Sequence, residues 1–334
     1  MLATIIVLAL AATAQAMTVG KGDRRTKVIM DVDAGADDAM AIMIAVSSVK
    51  KIDVIAITCV NGNTGVHNVT KNVLKTLKVA NRLDIPVHAG SEDALVYRAP
   101  SDSFWGSDGL GDFEFKEPPS LSMIEDKHAA LAIVELVKKY PNEITILAVG
   151  PLTNIALAMH LYPQLLDEVK ELVILAGSYL GGGNVKPGVE FNVYADPEAA
   201  DFVFSKAKVD HPIRALPLET IEKLGFSMDF RINQLGKLPG PKMEFLNKAE
   251  NKGLKNFERE TQWSAYDQLA AAVVINPKIV LKSVKLNVRV ETCGRYARGA
   301  WIVDHRSFSP PGPVEIITEV DREAVRQLFL DTLK

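Results

Sequence analysis

Two kinds of pattern alternate along this chain. Short apolar runs, rich in Val, Ile, Leu and Ala, occupy 27–31, 53–59, 86–89, 144–149, 172–176 and 213–218. Runs of this length with little polar interruption read as strands buried on both faces. Between and after them lie segments with helical spacing, over 38–47, 67–81, 127–139, 152–160, 197–206, 264–275 and 322–333. The alternation predicts an α/β fold: an open, mainly parallel β-sheet with helices on both faces. In such folds ligands bind at the carboxyl ends of strands. Two stretches interrupt the rhythm. Residues 97–120, rich in Gly, Pro, Ser and Asp, read as a long loop able to act as a lid. Residues 225–256 are polar and basic with weak helical spacing, and read as an outer helical excursion. No internal repeat or linker divides the chain.

Composition narrows the class. The chain has 334 residues and a net charge of −3 with mixed signs throughout, so nothing resembles a basic nucleic-acid stripe. Leu2 to Ala14 are almost entirely apolar, and Ala14-Gln15-Ala16 is a small-x-small cleavage pattern. This reads as a secretory signal peptide over 1–16, leaving a single domain over 17–334 in an extracellular protein. No other apolar run approaches the roughly 18 residues of a membrane span, so no membrane association is expected after cleavage. There are two cysteines. Cys59 falls inside an apolar strand and reads as a buried thiol, and the pair does not make a disulfide framework. Asn68-Val-Thr70 is a formal glycosylation sequon inside an expected helix.

The chemistry concentrates in Asp31-Val-Asp33-Ala-Gly35-Ala-Asp37-Asp38. Two like charges about 4 Å apart cost about 4 kcal/mol at an effective dielectric near 20. A run of carboxylates is tolerable on a solvated loop or around a cation. Here an apolar strand precedes it and an apolar helix follows it, which favours the cation. There is no CxxC and no HExxH, so zinc is a poor fit, and all-oxygen donors suit Ca²⁺ or Mg²⁺. An EF-hand loop does not fit, because its Gly and Glu positions hold Ala36 and Ile42.

The same run resembles the N-terminal fingerprint of the calcium-dependent nucleoside hydrolases. The resemblance continues through Val60-Asn-Gly-Asn63, Val149-Gly-Pro-Leu-Thr-Asn-Ile155, Gly183-Asn184 with Glu190-Phe-Asn192, Ala195-Asp-Pro-Glu-Ala199, Tyr266-Asp267, and Arg298-Gly299 with Asp304. It implies hydrolysis of ribonucleosides to ribose and free base. It implies Ca²⁺ held by Asp33, Asp38, Asp267 and the Val149 carbonyl, with water and ribose hydroxyls completing the shell. Asp33 is the expected base for the attacking water, and Asp33 and Asp37 are expected to stabilise an oxocarbenium-like state. Asp37 and Asn192 are assigned to the 2′- and 3′-hydroxyls. Asn184 and Glu190 are assigned to the 5′-hydroxyl, and Asn63 to the water and the 2′ side. The family also implies a homodimer or homotetramer. Asp31 reads either as an orienting residue behind the ligands or as a structural tie, and Asp196 as the cap of the helix starting at Pro197.

Three positions depart from the broad inosine-uridine pattern. Tyr266 stands where many members have a histidine, Trp105 where the lid carries another, and Ala176 at a methionine that contacts ribose. Trp105 and Tyr266 resemble the aromatic pair of the purine-specific branch, so purine nucleosides are the expected substrates, with Tyr179 and Trp263 as further walls of the base site. The alternatives are a uridine-preferring hydrolase, and a secreted protein that binds nucleoside or calcium without turnover.

Overall fold

The computed structural model describes residues 25–100, 103–211, 213–256, 262–306, 308 and 313–334. The segment read as a signal peptide lies outside the described residues. The expected strands all form, within one or two residues at each end: β1 (Thr26–Val32), β2 (Ile52–Cys59), β3 (Val87–Ala89), β5 (Ile144–Ala148), β6 (Glu171–Leu175) and β7 (Ile213–Leu216). Six more join them: β4 (Ile124–Glu125), β8 (Phe226–Ser227), β9 (Gln262–Trp263), β10 (Val280–Val290), β11 (Trp301–Asp304) and β12 (Val314–Val320). Ten strands make one sheet in the order β11-β10-β12-β7-β6-β5-β1-β2-β3-β4, while β8 and β9 pair apart from it. Every pairing in the large sheet is parallel except those of β10 with β11 and with β12.

The helices are α1 (Ala36–Ser47), α2 (Val66–Val79), α3 (Ala129–Lys139), α4 (Thr153–Leu161), α5 (Leu165–Glu168), α6 (Phe191–Ala195), α7 (Pro197–Ser205), α8 (Leu218–Leu224), α9 (Pro241–Ala249), α10 (Asn251–Asn256), α11 (Tyr266–Ile275) and α12 (Arg322–Thr332). Alternation along β1 divides them between two cores. Val28, Met30 and Val32 face a core built with α1, α2, α9, α11 and α12. Ile29 faces the other core, built with α3, α4 and α7.

The antiparallel end of the sheet was not expected. Only the second half of β10 alternates, with Leu286, Val288 and Val290 covered and Arg289 exposed, while residues 281–285, including Lys282 and Lys285, are exposed throughout. The excursion over 225–256 is helical as expected, through α9 and α10. Asn68 is half-buried in α2, its Nδ2 donating to Thr64 Oγ1 (3.2 Å). Both cysteines are free, Cys59 buried and Cys293 exposed. No helix among the described residues is long and apolar enough to cross a membrane.

Strand order locates the crevice. From β1 the chain runs outward through β2 to β4, then returns to the other side of β1 with β5, β6 and β7. The order reverses between β1 and β5. Ligands of open α/β sheets bind at such a reversal, beyond the strands' carboxyl ends. Asp33 follows β1 there, and Val149 follows β5.

Candidate active site

Two apolar helices set the acidic cluster. α1 and α11 are buried almost all round, and their alanines allow close packing side by side. Their N-termini therefore meet. Asp37 and Asp38 lie in the first turn of α1, and Asp267 lies in the first turn of α11. Unpaired N–H groups and the helix dipole favour carboxylates at both positions. Carboxylate oxygens of Asp37, Asp38 and Asp267 all lie within 4.8 Å of one another.

Asp38 also organises the loop before its helix. Its Oδ2 accepts the Gly35 N–H (2.8 Å), and its Oδ1 accepts the Asp33 N–H (3.2 Å). Asp33 Oδ2 accepts the Asn63 N–H (2.7 Å), tying the end of β1 to the loop after β2. Gly62 makes room for this, since a Cβ there would fall 2.0 Å from Asp33 Oδ2. Ala34, between Asp33 and Gly35, has a φ of +32°, a strained conformation for a residue with a side chain.

Burial dominates the electrostatics. Asp33, Asp38 and Asp267 are at most 3% exposed. Loss of water pushes the carboxyls of Asp33, Asp37 and Asp267 well above their usual range, and the neighbouring acidic charges push in the same direction. Asp38 rises to about 6, burial outweighing the N–H groups that favour its charge. Among the described residues, no lysine, arginine or histidine lines the cavity above these groups. Buried acids without a basic partner, at the spacing of one coordination sphere, fit a divalent cation bound by oxygen.

The cavity, of about 200 Å³, is lined by Asp33, Asp37, Asn63, Trp105, Val149, Asn184, Glu190, Asn192, Tyr266 and Asp267, so these expected site residues converge. Asp38 lies beneath, fully buried. The structure gives several of them a further task. Asn192 Nδ2 donates to the carbonyls of Val149 (2.7 Å) and Leu175 (3.1 Å), bridging the ends of β5 and β6. That leaves its Oδ1 for a ligand, and the Val149 carbonyl keeps its second lone pair. Glu190 caps α6, accepting the N–H groups of Asn192, Val193 and, from across the loop, Gly177. Burial nevertheless raises its carboxyl to about 7. Asn184 Oδ1 accepts the Phe191 N–H (2.9 Å), which leaves its NH₂ as the end it can offer.

Other expectations need correction. Trp263 is not a wall of the base site: it is fully buried, and its Nε1 donates to Glu250 Oε1 (2.6 Å). Tyr179 does not line the cavity. Its N–H is held by Glu219, which also accepts from Ser178 and Leu180. At the end of β6 it is Leu175 that reaches the cavity, whereas Ala176 is buried in the opposite core. Phe104, Val185 and Phe191 also line it. Each is the sequence neighbour of an expected residue, and that adjacency was the available signal. Asp31 is a structural tie: Thr58 Oγ1 (2.5 Å) and Asn154 Nδ2 (2.9 Å) donate to its Oδ1. Asp196 caps α7 as expected, and also accepts from Thr153 and Leu95. Arg298 pairs with Glu198 of α7.

A family model described as inosine-uridine preferring nucleoside hydrolase matches residues 28–327. The chain belongs to the nucleoside hydrolase family. It is 32% identical over 322 residues to the inosine-uridine preferring nucleoside hydrolase of Leishmania major, covering 92% of this chain and 97% of that one. It is 29% identical to a pyrimidine-specific ribonucleoside hydrolase of Escherichia coli, over 92% and 98% of the two chains. The solved structure of an inosine-guanosine nucleoside hydrolase superposes with a TM-score of 0.82 at 31% identity, covering 92% of this chain and 98% of that one. This nucleoside hydrolase is thus an enzyme acting on N-glycosyl bonds, of a metal-dependent family, and its acidic cluster sits where the sheet topology places a ligand.

Proposed function

We propose that this hydrolase prefers purine ribonucleosides and works with Ca²⁺. The observation that carries the base preference is the cavity lining. Trp105, Phe104 and Tyr266 border the same cavity as the acidic cluster, and among the described residues no histidine, lysine or arginine borders it. A leaving base then has no basic side chain to protonate it. A purine can accept a proton from solvent water at N7, and aromatic faces stabilise the resulting cation. A pyrimidine lacks N7 and gains less.

Asp38 and Asp267, with Asp33 or Asp37 and the Val149 carbonyl, would hold the ion. When bound, it supplies positive charge that acidifies water and draws vicinal hydroxyls. Asp33 takes the proton of the attacking water. The water oxygen bonds to C1′ as the C1′–N bond breaks, its electron pair leaving with the base. Asp33 and Asp37 stabilise the positive charge that develops on the ribose. Asn192 Oδ1 and Asp37 grip the 2′- and 3′-hydroxyls, Asn63 orients the 2′ side, and Asn184 with Glu190 meets the 5′ end. Steady-state kcat/KM for inosine against uridine, before and after chelation, tests this. Inosine should be preferred, and Ca²⁺ should restore activity after chelation. A clear preference for uridine defeats the purine reading and favours the one its pyrimidine-specific relative suggests.

The apolar segment over 1–16 supports a secreted protein with one domain over 17–334. N-terminal sequencing of the exported product, starting at Met17, tests it. The family resemblance supports a homodimer or homotetramer, to be read by light scattering.

A further inference from the structure

Trp105 occupies a slot with a glycine at each end. A Cβ on Gly35 would fall 2.5 Å from Trp105 Cδ1, and one on Gly253 would fall 2.0 Å from Cζ3 and 2.4 Å from Cε3. Gly35 belongs to the acidic loop. Gly253 lies far away in sequence, buried within α10. Glycine is disfavoured inside a helix relative to alanine, and Gly253 has no left-handed φ that would require one. The indole accounts for it: with no side chain at 253, the ring lies against the helix, and Trp105 is only 4% exposed.

The seat is firm on both sides. Lys252 of α10 pairs with Asp112, which gathers the N–H groups of Ser107 and Asp108, and Asn256 Nδ2 donates to the Phe104 carbonyl (3.3 Å). At the start of α10, Glu250 is fixed by Arg231 Nε (2.5 Å) and Trp263 Nε1 (2.6 Å), all three buried. The lid therefore docks on a helix that is itself clamped to the core.

We infer that Gly253 is a specificity-determining positioning residue: by admitting the indole of Trp105 against α10, it sets where the aromatic wall stands relative to the acidic cluster. This rests on the reading that Trp105 faces the base. Gly253→Ala should push the ring from its seat. The test is a cycle of wild type, Gly253→Ala, Trp105→Ala and the double variant, with kcat/KM for inosine and uridine and with tryptophan emission. Gly253→Ala should lower the inosine-to-uridine ratio about tenfold, the scale of one methyl group in a fitted pocket, chiefly through KM. It should also shift the emission spectrum, and in the Trp105→Ala background it should change the ratio less than about twofold. An unchanged ratio in Gly253→Ala, beside a changed one in Trp105→Ala, overturns the inference and leaves the purine reading standing. An unchanged ratio in Trp105→Ala removes both. If Gly253→Ala does not fold, the double variant decides: folding restored supports the collision, and folding still lost overturns it.

Discussion

Asp38 and Asp267, side chains from the first turns of two different helices, bring carboxylate oxygens within 4.8 Å of each other in a buried setting. Two carboxylates at this distance need a proton or a cation between them. Burial raises both carboxyls, and the neighbouring acidic charges raise Asp267 further.

On the Ca²⁺ reading proposed above, ion binding should displace a proton from this cluster. Titrating Ca²⁺ into chelator-treated protein near pH 7 should acidify an unbuffered solution. It should also raise Tm, the gain in unfolding free energy being about 2.7 kcal/mol at 100 times Kd. Asp267→Asn should abolish both responses. A full Tm response in Asp267→Asn would place the ion elsewhere.

Stability of the metal-free protein should fall as pH rises. Glu190 has an ordinary pKa of 4.5 and a folded value of about 7, raised by burial. Between these values the folded state holds a proton that the unfolded state has lost, so the contribution is greatest below 4.5 and is lost by about 7. A shift of this size is worth about 3 kcal/mol at most. The acidic cluster acts in the same direction. Denaturant titrations from pH 4.5 to 7.5 should show the decline, shallower in Glu190→Gln and reversed by Ca²⁺.

Asp33→Asn should separate chemistry from architecture. The amide keeps an oxygen for the Asn63 N–H but cannot take a proton from water. We expect kcat to fall about 10²–10⁴-fold with a near-native circular dichroism spectrum. A loss under tenfold would move the base to another residue.

Asn192→Ala should affect both stability and binding. It strips the Val149 and Leu175 carbonyls of their shared donor in a buried setting. The cost is about 1–3 kcal/mol, read as a lower denaturation midpoint, together with a raised KM. Native stability in this variant would mean that water replaces the amide.

Much of this was legible in the sequence. β1 and α1 bracket the acidic run with uninterrupted apolar residues, and that pattern alone marked the carboxylates as buried. Strand β10 was missed because it lies near the sheet's end, where solvent-facing lysines break the apolar run. Trp263 was misplaced because it stands three residues before Tyr266 and looks equally available. Their separation comes from β9 turning the indole toward Arg231 and Glu250 before α11 begins.

The sequence by itself determined the elements and the supply of donors, because the spacing of apolar residues fixes strand or helix locally, and because the blocks that follow the strands are rich in carboxylates and amides. The tertiary structure decided which donors meet. Asp267 is more than two hundred residues from Asp38, and only the packing of α1 against α11 joins their first turns. Gly253 meets Trp105 only because α10 is clamped beneath the lid. Such meetings depend on which buried faces fit together, and local spacing carries no record of that fit.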